Sequence, residues 1–213
     1  MDHEHRLLGY YNYTVILTYV GMLFGFTGII CALKDNCYSA VICLMAAGFC
    51  DMFDGTIAAT RPRTPQEKCF GIQIDSFSDL ICFGMLPAMI VFSLNRDSIS
   101  IVCLCAFYVL CALIRLAYFN VDEQERQKNS NQPRELYLGM PVTLSALFVP
   151  LVYSLFGILG RRTDIALAVT IVIMAILFLL PVPLKKPKMI GKIIFLLCGL
   201  AAVALVMFAR TRI

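Results

Sequence analysis

Seven long apolar stretches, separated by short polar breaks, organise the chain. They run approximately over residues 13–33, 37–58, 70–94, 98–118, 139–160, 165–183 and 189–209. Each is about as long as the 20 or so residues that an α-helix needs to cross a bilayer. The stretch at 165–183 is the weakest, because Pro181 and Pro183 close it early, and a tilted or re-entrant helix is an alternative there. Gly21, Gly25 and Gly28 line one face of the first stretch, a spacing that permits close helix contact. The pattern predicts an all-α, polytopic membrane helix bundle with six to eight spans, folded as a single domain over 1–213. No separate soluble domain fits in the remaining length.

Composition agrees with the pattern. Sixty per cent of the residues are hydrophobic and 15% are charged, whereas soluble domains average about 45–50% and 25%. A water-soluble enzyme, a disordered chain and a secreted disulfide scaffold are excluded. Most of the ten cysteines lie inside apolar runs, where cysteine behaves as a small hydrophobe. The only histidines are His3 and His5, so neither a zinc site nor a histidine-based triad is expected. The start, MDHEHRLLGYYNYT, lacks a basic segment followed by a cleavage site, and no removed signal peptide is expected.

Charge sets the orientation. With seven spans, twelve of the 18 Lys and Arg residues fall on the side of the N-terminus and six on the other. The positive-inside rule then puts the N-terminus and the 59–69 and 119–138 loops in the cytosol of a cell-membrane protein. The net charge of +4 is accounted for by these flanking residues, and no nucleic-acid partner is expected. The KKPKMIGK run at 185–192 could also attract anionic lipid head groups.

Four acids stand inside the apolar stretches: Asp51 and Asp54 in the second, Asp75 and Asp79 in the third. An aspartate at the centre of a spanning helix costs about 2.5–3.5 kcal/mol on the most lenient scale. The pairs are spaced i, i+3 and i, i+4, so each shares one helix face. If the helices end near residues 59 and 70, Asp54 and Asp75 lie about 7 Å inside, and Asp51 and Asp79 about 12–13 Å. Helix-end aspartates reaching for water would account for one such residue but poorly for four with matched faces and depths. No lysine, arginine or histidine lies within either stretch, so a divalent cation bound by hard oxygen ligands is the natural counter-charge: Mg²⁺, Mn²⁺ or Ca²⁺. A proton or ion pathway is the rival functional reading, but it leaves unexplained the small residues Gly55, Ala58 and Gly71 beside the acids. Those residues clear space for a bulky polyanion.

Residues 51–79, DMFDGTIAATRPRTPQEKCFGIQIDSFSD, resemble the motif of the CDP-alcohol phosphotransferases, D-x-x-D-G-x-x-A-R, a spacer, then G-x-x-x-D-x-x-x-D. DSFSDLICFGMLPA, RLAYFNV at 115–121 and YLGMP at 137–141 are similar to the CDP-diacylglycerol–serine O-phosphatidyltransferases of that class. The resemblance implies transfer of a phosphatidyl group from CDP-diacylglycerol to L-serine with release of CMP. It implies a catalytic hairpin over about 37–94 and two divalent cations, Mg²⁺ or Mn²⁺, held by Asp51, Asp54, Asp75 and Asp79. Asp79 is also the implied general base. Gly55, Ala58, Ala59, Arg61, Thr64 and Gly71 are the expected CDP-diacylglycerol site, and Arg115 with Asn120 the expected serine site. In this reading Arg115 ends a helix and Asn120 lies on the loop that follows. The other partners are membrane lipids, and a homodimer is left open.

Three departures accompany the resemblance, one of them a spacer from Ala59 to Gly71 that is longer than is usual for the class. Ala59 occupies the motif's arginine position, which leaves Arg61 or Arg63 to replace a phosphate contact and keeps an inactive homologue in view. Tyr118 stands where the second arginine of RLARFNV-type runs is usual, so another acceptor alcohol, such as inositol phosphate or glycerol phosphate, remains an alternative.

Overall fold

The computed structural model describes residues 9–96, 98–129 and 136–185, together with 199, 201, 204 and 207; side chains of 126–138 and 183–185 are outside the description. The stretch expected at 189–209 lies almost wholly outside the described residues. The elements are α1 (Tyr13–Leu33), α2 (Cys37–Ala58), α3 (Pro65–Asp79), α4 (Leu86–Leu94), α5 (Ile99–Asn129), α6 (Ser145–Ile158) and α7 (Thr163–Leu179). A π-helical turn, Leu80–Met85, joins α3 to α4 without a break. Among the described residues, four helical segments are long and apolar enough to cross a membrane: α1, α2, the continuous Pro65–Leu94 and the first 27 residues of α5. The shorter apolar helices Val142–Ile158 and Thr163–Leu179 join them in a multi-pass bundle.

Helix α1 is the spine of the site. It packs along α2 and also touches α3, the π-turn and α4. Its glycine face makes this close approach practicable. A Cβ at Gly21 would stand 3.2 Å from Cys50 Cβ, one at Gly25 would stand 2.5 Å from Cys82 Sγ, and one at Gly28 would meet Leu86 at 2.7 Å and Cys43 at 2.9 Å. A side chain at Gly25 or Gly28 would force a neighbour to shift, and one at Gly21 would be tight. Asn12 caps the start of α1 by accepting from the Thr14 amide. At the other end, Arg96 donates to the Leu33 carbonyl at 2.6 Å and pairs with Asp35 at 2.7 Å.

The π-turn follows directly after Asp79. Pro87 has no N–H to offer the Phe83 carbonyl four residues back, and the buried Tyr108 hydroxyl of α5 donates to that carbonyl at 2.9 Å. Cys82, also in the turn, donates through Sγ to the Gly21 carbonyl of α1 at 3.3 Å. The irregular backbone is therefore pinned from two sides just below the aspartates.

Several boundaries differ from the hydropathy reading. Helix α3 begins at Pro65 rather than near 70, because Thr64 and Glu67 form a capping box over its polar first turn. The connection between α2 and α3 shortens accordingly to residues 59–64. Helix α5 runs to Asn129, eleven residues past the apolar stretch, so Asn120 is helical and not on a loop. After α5, Leu136–Leu138 pairs antiparallel with Pro183–Lys185, Leu136 opposite Lys185. This short ribbon sits at the same end of the bundle as the α2–α3 turn. Gly139, at φ +79, turns the chain there; a Cβ on it would lie 3.2 Å from the Leu180 and Phe178 carbonyls.

Candidate metal centre and substrate site

Helices α2 and α3 bring the aspartates together. Asp51, Asp54 and Asp75 each present a carboxylate oxygen, and these three atoms lie within 4.8 Å of one another. Asp79 lies one turn beyond Asp75 on the same side of α3. The expected equal depths do not hold: Asp54 is four residues from the end of α2, about 6 Å along the axis, whereas Asp75 is ten residues from the start of α3, about 15 Å. The carboxylates meet even so, and α3 starts farther from them than α2 ends.

All four carboxylates are half-buried. The ion pairs of Arg61, Arg96 and Arg162 are made with Glu67, Asp35 and Asp164, away from this cluster. Carboxylates so close repel unless a positive charge or protons intervene. The donor set is all oxygen and anionic, which fits a hard divalent cation.

Helix α1 contributes a residue that the sequence reading did not single out. The buried Thr18 donates through Oγ1 to Asp54 Oδ2 at 3.3 Å. Next to the acids on α3, the buried Ser78 donates to the Thr18 carbonyl at 3.3 Å. The same stretch of α1 therefore touches both aspartate helices.

The residues expected around CDP-diacylglycerol fall in two groups. Gly55, beside Asp54, is exposed, and a Cβ there would meet nothing within 4 Å. Ala58 ends α2 and Ala59 is its C-cap. Gly71 lies one turn before Asp75 on the same side of α3, and a Cβ at Gly71 would stand 3.2 Å from a terminal nitrogen of Arg63. The other two have local roles. The Thr64 hydroxyl accepts from the Glu67 amide at 3.2 Å as the N-cap of α3. Arg61 faces Glu67 at 3.9 Å.

Glu67 is a hub of this turn. Besides Arg61, it accepts from the Thr64 amide at 2.9 Å and from Asn12 at 3.3 Å. Tyr13 and Thr60 share a hydrogen bond of 3.0 Å, and the ring of Tyr10 packs edge-on to Phe70. The segment leading into α1 thereby straps the α2–α3 turn in place. The T-x-x-E spacing of the capping box was the signal that could have revealed this turn from sequence.

Both residues expected at the serine site are on α5, but they turn to different neighbours. Asn120 accepts from Ser76 Oγ at 2.8 Å, which places it against α3 beside Asp75. Arg115 is 7% exposed; its Nε donates to the Met140 carbonyl at 3.3 Å and its guanidinium lies over the Phe119 ring at 5.5 Å. The left-handed turn at Gly139 brings that carbonyl to the arginine.

A multi-pass helix bundle with a carboxylate cluster on two adjoining helices defines the class as a membrane protein with a candidate metal centre. The particular family follows from comparison. The family pattern of the CDP-alcohol phosphatidyltransferases matches residues 11–209, and the chain belongs to that family. A CDP-diacylglycerol–serine O-phosphatidyltransferase of Saccharomyces cerevisiae is 34% identical over 148 residues, 60% of this chain and 50% of the yeast protein. The Bacillus subtilis protein of the same name is 30% identical over 139 residues, 64% of this chain and 72% of its own. An archaetidylserine synthase of Methanothermobacter thermautotrophicus is 24% identical over 180 residues, 84% of this chain and 72% of its own. The match thus spans half the length of the yeast relative.

Proposed function

We propose that the protein transfers the phosphatidyl group of CDP-diacylglycerol to L-serine, giving phosphatidylserine and CMP. The observation that carries this reading is the meeting of Asp51, Asp54 and Asp75 within 4.8 Å, in a chain whose family transfers from CDP-alcohols. The serine acceptor is supported by the names of the yeast and Bacillus relatives.

Asp51, Asp54 and Asp75 would hold the cations, and Asp79 would complete the set for a second ion. When bound, two divalent cations neutralise the diphosphate and stabilise the departing CMP. Asp79 accepts the proton of the serine hydroxyl as its oxygen attacks phosphorus, because an alcohol is a poor nucleophile until a base takes that proton. Phosphorus gains a bond to the serine oxygen and loses its bond to the oxygen of CMP. Gly55 and Ala58 leave room for the nucleotide, and Gly71 leaves room for the Arg63 guanidinium beside it. Arg115 and Asn120 orient the acceptor, the guanidinium pairing with the serine carboxylate.

The whole chain acts as one domain, with the catalytic hairpin at its centre and the site opening to the cytosol. The acyl chains stay in lipid while nucleotide and serine arrive from water. The acceptor panel is the test: purified protein with CDP-diacylglycerol and Mn²⁺ or Mg²⁺ should release CMP when serine is added, and not with glycerol phosphate or inositol phosphate. CMP release of equal rate with another alcohol would reassign the acceptor.

A further inference from the structure

The α2–α3 turn carries two arginines, Arg61 and Arg63, and they are placed differently. Arg61 points to Glu67, whose carboxylate already serves the capping box. Arg63 is half-buried, and among the described residues no carboxylate pairs with it. Its guanidinium instead lies over Gly71, 3.2 Å from where a Cβ would stand. Any side chain at position 71 would contest that place. Gly71 is one turn from Asp75 on α3, so the guanidinium sits on the side of the helix that faces the carboxylate cluster. Across the site, the ground beside Gly55 is open. Ala59, at the end of α2, brings no charge there.

A cation in that position has a task only if an anion arrives. A ligand that bridges cations at the aspartates and carries further phosphate oxygens toward the α2–α3 turn would meet Arg63. We infer that Arg63, seated on Gly71, binds the diphosphate of CDP-diacylglycerol and supplies the positive charge that Ala59 cannot. The assignment rests on the proposed function and deepens it. It places the phosphate contact on Arg63 rather than on Arg61. A planar guanidinium offers two parallel donors to a phosphate. Gly71 provides the flat surface that fixes its orientation. The capping box and the Tyr13–Thr60 bond hold the turn that carries it.

Binding of CDP-diacylglycerol to the detergent-solubilised full chain, with Mn²⁺ and without acceptor, tests the assignment by calorimetry. R63A should raise Kd by about 10- to 100-fold, the range of a lost charge-assisted hydrogen bond. R63K should recover part of that loss, and A59R in the R63A background should recover more. K68A removes an exposed charge from the first turn of α3 and should change Kd by less than about twofold, since exposed charges act weakly at a distance. At saturating lipid, R63A should keep the wild-type KM for serine. The thermal midpoint of each variant reports its folding. An R63A protein that folds and binds within about twofold of wild type overturns the assignment and leaves the proposed function standing. So does a K68A loss as large as that of R63A. Wild-type protein that fails to bind CDP-diacylglycerol overturns both.

Discussion

Thr18 on α1 donates a hydrogen bond to Asp54 on α2 at 3.3 Å, so a helix that carries no acid fixes the orientation of one carboxylate in the cluster. A neutral donor of this kind aims a ligand without adding charge, and such outer partners are worth about 10- to 100-fold in metal affinity. Thr18→Val should therefore weaken Mn²⁺ binding about tenfold while the protein still folds, because valine matches threonine in shape. Thr18→Ser should restore most of the affinity. Titration of Mn²⁺ followed by electron paramagnetic resonance reads this directly, and equal affinities in all three proteins would remove Thr18 from the site.

Asp79 and Asp54 should separate chemistry from binding. Asp79→Asn fills the same space but cannot take a proton, so turnover should fall by at least about a hundredfold while much of the CDP-diacylglycerol affinity remains. Asp54→Asn should weaken cation and nucleotide binding together. Near-normal turnover of Asp79→Asn at saturating Mn²⁺ would reassign the base.

The glycine face of α1 makes a prediction about stability alone. A methyl group at Gly25 would come within 2.5 Å of Cys82 Sγ and 3.2 Å of Cys82 Cα. The sulfur is itself bonded to the Gly21 carbonyl and cannot move freely. Gly25→Ala should cost about 1–3 kcal/mol, as overpacking of a close contact does, seen as a lower thermal midpoint. Gly55→Ala, with nothing within 4 Å of the new carbon, should leave the midpoint almost unchanged.

The proposed acceptor site centres on Arg115. If its guanidinium pairs with the serine carboxylate, ethanolamine should fail as an acceptor although its hydroxyl is equally able to attack. Arg115→Lys should raise the KM for serine by about tenfold, since an ammonium cannot reproduce the planar fork. CDP-diacylglycerol binding should hardly change. Steady-state kinetics with serine varied decide the matter: an unchanged KM moves the carboxylate contact elsewhere, with Asn120 and Ser76 the next residues to vary.

The legible parts of the fold were those written in hydropathy. Residues 13–33 and 37–58 read as helices with the bounds that the structure gives, because Asn12 and Asn36 cap them and Lys34 to Asn36 break the apolar run between them. The start of α3 was hidden because Pro65 to Lys68 are polar or lack an apolar face, and a hydropathy reading discards such residues; their order, T-P-Q-E, encodes the cap. The far end of α5 was hidden for the same reason, since Asp122 to Asn129 continue the helix beyond the apolar stretch. In the site, the i, i+3 and i, i+4 spacings made the shared faces of the aspartates readable. Nothing local marks Thr18 as the partner of an acid 36 residues away. Arg63 over Gly71 likewise depends on the path of a turn that the sequence left open.

Product identity after incubation with labelled L-serine tests the central claim most directly. Purified wild-type protein, CDP-diacylglycerol and Mn²⁺ should convert labelled serine into a chloroform-soluble lipid that comigrates with phosphatidylserine, mole for mole with CMP released. Chelation of the metal should stop both. Labelled lipid formed at the same rate after chelation, or CMP released with the serine label left in water, would contradict the account.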